Sequence, residues 1–333
     1  MPAKCMTNSL GATVIKASVV IPTKNGGLLF RSVLNAVLTQ STTWPFEVLI
    51  IDSGSSDGTV EFCKSVHSIR VHSIAPETFC HGTTRNLGMG MTSGKFVAFL
   101  THDALPANPY WLANLVQVME CDEDIGGAFG RHIAYSGGNP FIARDIELHF
   151  ARYASGPAVV RIENRARYDS DVRYRQELHF FSNNNSCLRR TVWEKIPFPD
   201  VDFAEDQIWA QRMLEGGYAK AYVHNAAVYH SHSFGVLEQG RRSFDESRAL
   251  HRLFNYRLCP TMAHLAFQTV RTTLADWRYA AREHLLVSEI DWIIKTPLLN
   301  ASKQFGFYLG EREALLPQSI VERISRDRSL LKH

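Results

Sequence analysis

The chain lacks several things that would name a class of function at once. Nowhere in its 333 residues does an uninterrupted apolar run reach membrane-spanning length, about 18 residues or more. The first sixteen residues have no long apolar core behind a basic start, so no secretory leader is expected. The six cysteines, Cys5, Cys63, Cys80, Cys121, Cys187 and Cys259, stand singly, without a Cys-x-x-Cys pair or a regular spacing. That pattern points to a reducing compartment, and a cytoplasmic protein without transmembrane spans is expected. Charge of one sign is also scarce: 36 Lys and Arg against 33 Asp and Glu leave a formal net charge of +3, too little for nonspecific nucleic-acid binding. Neither Gly-x-Gly-x-x-Gly nor the Lys-Ser/Thr ending of a P-loop occurs, which removes the dinucleotide and ATP readings. There is no internal repeat and no low-complexity tract.

What is present is an ordinary globular composition, 45% hydrophobic and 21% charged, which excludes a disordered or fibrous chain. From Ala17 to Gly130 short apolar runs alternate with amphipathic segments, the form taken by βαβ units around a buried, mostly parallel sheet. Strands are expected at Ala17 to Pro22, Phe46 to Asp52, Arg70 to Ile74, Phe96 to Leu100 and Ile125 to Gly130, each rich in Val, Ile or Phe and bounded by Gly, Pro or Asp. Helices are expected at Leu28 to Gln40, at Gly58 to Val66 after the cap candidates Ser56 and Asp57, and at Tyr110 to Glu120. From Arg131 to Leu178 the periodicity weakens, and an irregular excursion with some helix is expected. Regularity returns at Ser186 to Leu188. Thr191-Val-Trp-Glu194 has capping-box spacing, Glu205 to Gly216 reads as a helix, and Ala226 to Tyr229 reads as a last strand running into His230-Ser-His232. From Gly235 apolar residues recur at helical intervals. Two domains follow, 17–235 for the sheet and 236–333 for a helical region serving acceptor, oligomer or membrane contacts.

Open α/β sheets bind ligands beyond the carboxyl ends of their strands, where loops and helix N-termini converge. Three of these ends are polar: Pro22-Thr-Lys-Asn-Gly-Gly27, Asp52-Ser-Gly-Ser-Ser-Asp-Gly-Thr59 and Thr101-His-Asp103. A single strand-end Asp is usually a turn former. Three polar ends together favour a cleft in which Asp52 accepts the N–H of a pyrimidine and Asp103 holds a divalent cation through oxygen. Glu205-Asp206 at a helix start has its own ordinary explanation, the positive end of the helix dipole.

Val19-Val-Ile-Pro-Thr-Lys-Asn25, Ile51-Asp-Ser-Gly-Ser-Ser-Asp-Gly-Thr59 and Glu205-Asp206 together resemble family 2 glycosyltransferases of the GT-A fold. His81-Gly-Thr-Thr-Arg-Asn-Leu-Gly88, Phe99-Leu-Thr-His-Asp-Ala-Leu-Pro106, Ser182-Asn-Asn-Asn-Ser186, Phe203-Ala-Glu-Asp-Gln207 and Val228-Tyr-His-Ser-His232 resemble the bacterial rhamnosyltransferase branch. The likeness covers roughly residues 17–250. It implies transfer of a sugar, with inversion, from a nucleotide diphosphate to an acceptor hydroxyl. By position, Pro22, Thr23 and Asn25 would border the nucleotide, Asp52 would read the base, and Arg85 and Asn86 would lie by the diphosphate or donor sugar. Asp103 and His230, with His232 as fallback, would bind Mg²⁺ or Mn²⁺, with imidazole favouring Mn²⁺. Asp206 would be the general base and Glu205 would orient it or the acceptor.

One departure carries its own expectation. The family pattern has acids where this chain has Thr101 and His102, and a carboxylate there would suit a ribose 2′,3′-diol. His102 therefore points to a dTDP donor, dTDP-L-rhamnose first and a UDP-sugar second. The acceptor is expected to be a glycan or lipid-linked oligosaccharide in cell-surface polysaccharide synthesis. Trp111, Trp193 and Trp209 are expected in the core. Gly240-Arg-Arg-Ser-Phe-Asp-Glu-Ser-Arg248 with Leu250 to Leu258 is read as a solvated basic face, with peripheral contact to an anionic membrane as the alternative. Two other functions are weighed. A nucleotidyltransferase would need a Gly-rich, Arg/Lys-bearing loop after the first strand, for which Thr23 to Gly27 is poor. A noncatalytic sugar-nucleotide module fits the reduced acidic motif but not the retained Glu205-Asp206.

Overall fold

The apolar runs become strands because each can bury both faces. In the strands β1 (Ala17–Thr23), β2 (Phe46–Asp52) and β4 (Phe96–Leu100) the apolar residues alternate between two cores, while the edge strand β3 (Arg70–Ser73) is only partly buried. Val19, Ile21, Val48, Ile50, Phe96, Ala98 and Leu100 enter one. Val20, Leu49, Ile51, Val97 and Phe99 enter the other. A period of two with both faces covered is what a parallel sheet between helices requires. The remaining strands are β5 (Leu105–Pro106), β6 (Ile125–Ile133), β7 (Val159–Val160), β8 (Asn185–Arg189) and β9 (Ala219–Tyr229). The sheet runs β3-β2-β1-β4-β8-β6-β9-β5, with β7 paired to β9. Its first four strands are mutually parallel and β9 is parallel to β6, whereas β8 lies antiparallel between β4 and β6. The Rossmann-like, mostly parallel expectation therefore holds, with β8 and the two-residue strands β5 and β7 reversed.

The computed structural model describes residues 14–201 and 203–326. They divide into two units, 14–135 with 146–231, and 136–145 with 232–326. Cys5 and the final seven residues of the expected helical region lie outside the described residues. The five described cysteines are free thiols.

In the first unit, α1 (Gly27–Leu38), α2 (Thr59–Lys64), α3 (His81–Met91) and α4 (Trp111–Cys121) follow strands in βα order. Phe30, Val33, Leu34 and Val37 of α1 and Trp111, Leu112, Leu115 and Met119 of α4 cover one face. Helix α3 was not apparent from its sequence, since Gly82, Gly88 and Gly90 lower its helical propensity. Its glycines answer to packing: a Cβ on Gly82 would stand 2.0 Å from the Pro199 carbonyl oxygen, and one on Gly88 2.6 Å from Val20. The expected irregular excursion is largely helical, as α5 (Pro140–Ala154), α6 (Arg165–Ser170) and α7 (Val172–His179). Short α8 (Arg190–Trp193) starts one residue before Thr191 and has no side-chain cap, so the expected capping box is not formed. Helix α9 (Glu205–Glu215) covers the second core with Trp209, Met213 and Leu214. Trp111 and Trp209 are fully buried.

The last strand starts seven residues earlier than its apolar pattern suggests, because Lys220 breaks that pattern. Lys220 is 1% exposed. Its amine donates to the carbonyls of Glu177 at 3.1 Å and Phe180 at 2.7 Å, satisfying acceptors left over at the end of α7. Burial pushes its pKa down to about 7.

The second unit holds α10 (Val236–Phe254), α11 (Met262–Arg282), α12 (Ile290–Gly310) and α13 (Gln318–Ile324). Small residues let α10 and α12 approach closely: a Cβ on Gly306 would stand 2.3 Å from the Gly240 carbonyl oxygen, and one on Gly310 2.5 Å from that of Phe244. Ser243, Phe244, Ser247 and Arg248 are buried in that contact, and Arg248 faces Glu313 at 3.4 Å. Much of the segment read as a solvated basic face is thus the inner face of α10. Helix α11 is capped by Thr261, whose hydroxyl accepts the N–H of His264, and its buried Asp276 accepts from Arg144 and Asn300.

Replacing Lys220 by Met leaves the buried carbonyls of α7 without donors, each costing about 1–3 kcal/mol. Lys220→Met is expected to lower unfolding stability by roughly 3 kcal/mol, read by urea denaturation; an unchanged midpoint would show the amine to be dispensable.

Candidate active site

The loops after β1 and β2 are tied to each other before any ligand is considered. Asn25 accepts the Ser56 N–H at 2.8 Å and donates its own backbone N–H to Ser55 at 2.8 Å. Gly26 N–H reaches the Thr59 hydroxyl and Gly27 N–H the Asp57 carboxylate, at 3.1 and 3.0 Å. Asn25 has φ 50°, a left-handed conformation that Asn tolerates better than most residues. Asp52 is 2% exposed and accepts N–H bonds from Gly54 and Ser55 at 3.0 and 3.1 Å. Its first duty is to fold its own loop. Pro22 and Thr23 are buried beneath this pair of loops. The hydroxyls of Thr23 and Thr101, at the same end of adjacent strands β1 and β4, are both buried without a hydrogen-bond partner. Unpaired buried donors are costly and rare.

At the end of β4, His102 is half-buried and Asp103 turns toward β9. The β5–β9 pairing sets Leu105 opposite Tyr229 and so brings the next residue of β9's chain, His230, to this corner. His230 Nε2 lies 3.5 Å from Asp103 Oδ1. Two further bonds fix the corner: His230 N–H to the Ile133 carbonyl at 2.8 Å, and the Tyr135 hydroxyl to the Asp103 carbonyl at 3.0 Å. His132, missed in the sequence because it lies in a segment with weak periodicity, packs edge-on to His230 at 5.3 Å between ring centroids. Burial, and then the neighbouring His230 and His149 rings, hold its pKa well below the usual imidazole value. Its Nε2 is buried without a partner. A carboxylate oxygen with an imidazole nitrogen is a donor set that suits Mn²⁺ better than Mg²⁺.

The two acids that open α9 are separated by their surroundings. Ala204, at the cap, has φ 59°, a strained value for a residue with a side chain. Glu205 is 5% exposed and forms a 2.8 Å ion pair with Arg85 of α3, and Asn183 donates to the same oxygen at 3.1 Å. Burial alone would raise its pKa, but Arg85, then His81 and Asn183, outweigh it and hold the carboxyl below its ordinary value. Asp206 keeps a partly exposed edge and accepts the N–H groups of Asn183 and Gln207 at 3.2 and 2.8 Å. Burial and the charge on Glu205 push its pKa up to about 7. Two neighbouring carboxyls with pKa values driven apart are the usual sign of divided roles.

Two of the expected positions have partners within the protein. Arg85 was expected to meet the diphosphate, yet it is 3% exposed and its guanidinium is engaged by Glu205 and the His81 carbonyl. It is held against Glu205 at the start of α9. Asn86 was expected beside it on the ligand, yet its amide oxygen accepts from Trp193 Nε1 and Phe198 N–H, and its amide donates to the Phe198 carbonyl. It clamps α3 to the segment after α8.

Comparison with known proteins fits this arrangement. The sequence profile described as glycosyl transferase family 2 matches residues 18–196. The O-antigen chain rhamnosyltransferase RfbN of Salmonella typhimurium is 29% identical over 318 residues, covering 95% of this chain and 96% of that protein. WbaN of Salmonella anatum, named likewise, is 26% identical over 316 residues, 94% of each. Among solved structures, the mannosyltransferase PcManGT of Pyrobaculum calidifontis, in complex with GDP-Man and Mn²⁺, superposes with a TM-score of 0.56 at 17% identity, covering 90% of this chain and 86% of that one. At that identity the structural likeness speaks for the fold, which is the expected GT-A arrangement. With the profile spanning more than half of the sequence, the chain belongs to glycosyl transferase family 2.

Proposed function

We propose that this glycosyltransferase moves L-rhamnose from dTDP-L-rhamnose, with inversion, to a hydroxyl of a glycan or lipid-linked acceptor in cell-surface polysaccharide synthesis. The observation that carries the reading is the split pair at the start of α9: a locked, ionised Glu205 beside an Asp206 poised near neutrality. The naming of two nearly full-length relatives as O-antigen chain rhamnosyltransferases supports the sugar and the pathway class.

Inversion in one displacement needs a base that takes the acceptor proton as the hydroxyl attacks the anomeric carbon. Asp206 fills that role. Its raised pKa makes it a stronger base than an ordinary carboxylate, and its partly exposed edge leaves room for an acceptor. Glu205 cannot share the task, since protonating it would strand the buried Arg85 charge. Asp103 and His230 would hold Mn²⁺ or Mg²⁺, which when bound would neutralise charge on the leaving diphosphate. Thr23 and Thr101 would satisfy their hydroxyls on the donor, Pro22 and Asn25 would border the nucleotide, and Asp52 would use its remaining lone pairs for the thymine N–H. His102 offers no carboxylate to a 2′-hydroxyl, which suits a deoxyribose. A UDP-sugar donor is the alternative that this same site would serve.

The localisation follows from the acceptor. No helix among the described residues is long and apolar enough to cross a membrane, and a cytoplasmic enzyme resting on the inner membrane face is proposed. The contact would be the exposed stripe Phe267, Val270, Leu274 and Trp277 on α11, with Arg271 and Arg278 beside it, together with Ile290, Ile294 and Leu298 of α12. Apolar and aromatic residues flanked by Arg are the chemistry of an interfacial helix.

Three outcomes test this function. Asp206→Asn is expected to lower kcat by about 10²–10⁴-fold while dTDP affinity is kept, measured by nucleotide release; undiminished turnover would remove the base role. Because Asp206 acts as the carboxylate and its pKa is raised to about 7, kcat/KM should rise with pH up to about 7 and level off above it; a flat profile from pH 5.5 to 8, on the order of one unit either side of that value, would contradict the assignment. In a panel of dTDP, UDP and GDP sugars with Mn²⁺ or Mg²⁺, dTDP-rhamnose should be the preferred donor, and a clear preference for UDP would sink the reading of His102. For the membrane contact, flotation with anionic liposomes should be lost in Phe267→Glu/Leu274→Glu; equal flotation of the variant would rule out this surface.

A further inference from the structure

A second cleft lies beside the strand that delivers His230. It has a volume of about 490 Å³ and is lined by Asn114, Gln117, Tyr153, Tyr222, His224 and Asn225, among others. That volume is in the range of small-molecule sites. None of its lining residues is Asp, Glu, Lys or Arg, so it is not built for a phosphate, a nucleotide or a cation. Planar amides and aromatic rings carrying hydroxyls instead match a neutral polyhydroxyl ligand, which offers donors and acceptors on its edges and C–H groups on its faces. The amides of Gln117 and Asn225 and the Tyr153 hydroxyl have no hydrogen bond to a described side chain or backbone group, so they are available to such a ligand.

The backbone is shaped for this cleft. Pairing between β6 and β9 jumps from Gly130 opposite Val223 to His132 opposite Val228, so four residues of β9 bulge out against Arg131 alone. The bulge puts His224 and Asn225 on the surface. It is pinned by two side-chain amides, Asn108 and Asn114, donating to the Asn225 carbonyl at 2.9 and 3.0 Å. His224 is oriented by the Tyr222 hydroxyl at 3.2 Å and by Arg131 at 3.4 Å. Bulges that re-aim side chains are features a fold keeps for a purpose. Beyond the bulge β9 resumes and runs to His230, at most about 17 Å further along the chain.

We propose that this cleft binds a neutral stretch of the acceptor glycan, a few sugar units from the end that receives the new residue. The inference rests on the glycosyltransferase function above but concerns a site that takes no part in the chemistry. It gives the enzyme a grip on a growing chain, so that affinity rises with acceptor length.

The test uses the full chain and oligorhamnosides of one to four units, titrated by saturation-transfer NMR, with dTDP binding followed in parallel. The tetrasaccharide should bind more tightly than the monosaccharide. Gln117→Ala/Asn225→Ala should weaken it by about tenfold or more, as expected for two lost hydrogen bonds, with dTDP affinity unchanged. Asp206→Asn should bind it as the parent does. If the double variant also loses dTDP, the decision passes to Ala154→Trp, which fills the cleft from the exposed end of α5 and should abolish tetrasaccharide binding alone. Tetrasaccharide affinity unaffected by cleft substitution, absent from the parent chain, or lost only in Asp206→Asn would overturn the proposal. Binding at the cleft by a protein that releases nucleotide from no donor would overturn the proposed function and leave the cleft standing.

Discussion

The ion pair between Arg85 and Glu205 is the constraint on which the catalytic end of the sheet depends. Both side chains are withdrawn from water, 4% and 7% exposed, at 2.8 Å. Burying two charges costs several kcal/mol each and is recovered only if the pair is intact and further hydrogen-bonded. Here Asn183 and the His81 carbonyl complete it. The pair also joins α3, which follows β3, to α9, which precedes β9, so one contact fixes two helices on the same face of the sheet. Its electrostatic consequence falls on the next residue. A Glu205 held ionised is a permanent negative neighbour for Asp206, and that neighbour, with burial, raises the Asp206 pKa. The fixing of α3 against α9 and the raised pKa of Asp206 are therefore two effects of a single interaction.

The opposite corner of the site is organised by strand pairing. Asp103 and His230 are far apart in sequence and meet because a two-residue strand, β5, pairs with the end of β9. The loops after β1 and β2 are joined by four hydrogen bonds that involve no ligand. Most of the polar groups in these loops are thus satisfied within the protein. Among the buried side-chain atoms of the first unit, the hydroxyls of Thr23 and Thr101, Nε2 of His132 and of His149, and Nε of Arg85 have no partner. Elsewhere in the first unit polar groups as buried as Asp52, Asn185 and Lys220 are fully engaged.

Much of this architecture was legible in the sequence because it rests on local patterns. Continuous Val, Ile and Phe runs gave β1, β2 and β4 nearly to the residue, since a strand buried on both faces leaves no ambiguity of face. The positions of Asp103, Asp206 and His230 could be named from motifs. What could not be read was the set of partners. Nothing local in His81-Gly-Thr-Thr-Arg85 says that its arginine meets Glu205 rather than a phosphate, because the two are 120 positions apart. Helix α3 was hidden by glycines required for close approach to Pro199 and Val20, and the first half of β9 by a lysine whose charge is quenched at the end of α7. In each case a tertiary contact overrides local propensity. The family profile likewise ends at residue 196, before Glu205, Asp206 and His230, so half of the candidate site stands on geometry.

The second unit shows the same override acting on charge. The stretch from Gly240 to Arg248 has the composition of a solvated surface, with three arginines. Its glycine and serines let α12 come so near that Gly306 and Gly310 tolerate no side chain. Arg248 is drawn inside and balanced by Glu313. The apolar residues Phe267, Val270, Leu274 and Ile294 of α11 and α12 are left outward instead. Large apolar side chains left outward along one helical region are more than the scattered exposure usual on a surface that meets only water. That exposure, rather than net charge, is the physical reason for proposing α11 and α12 as a lipid-facing surface.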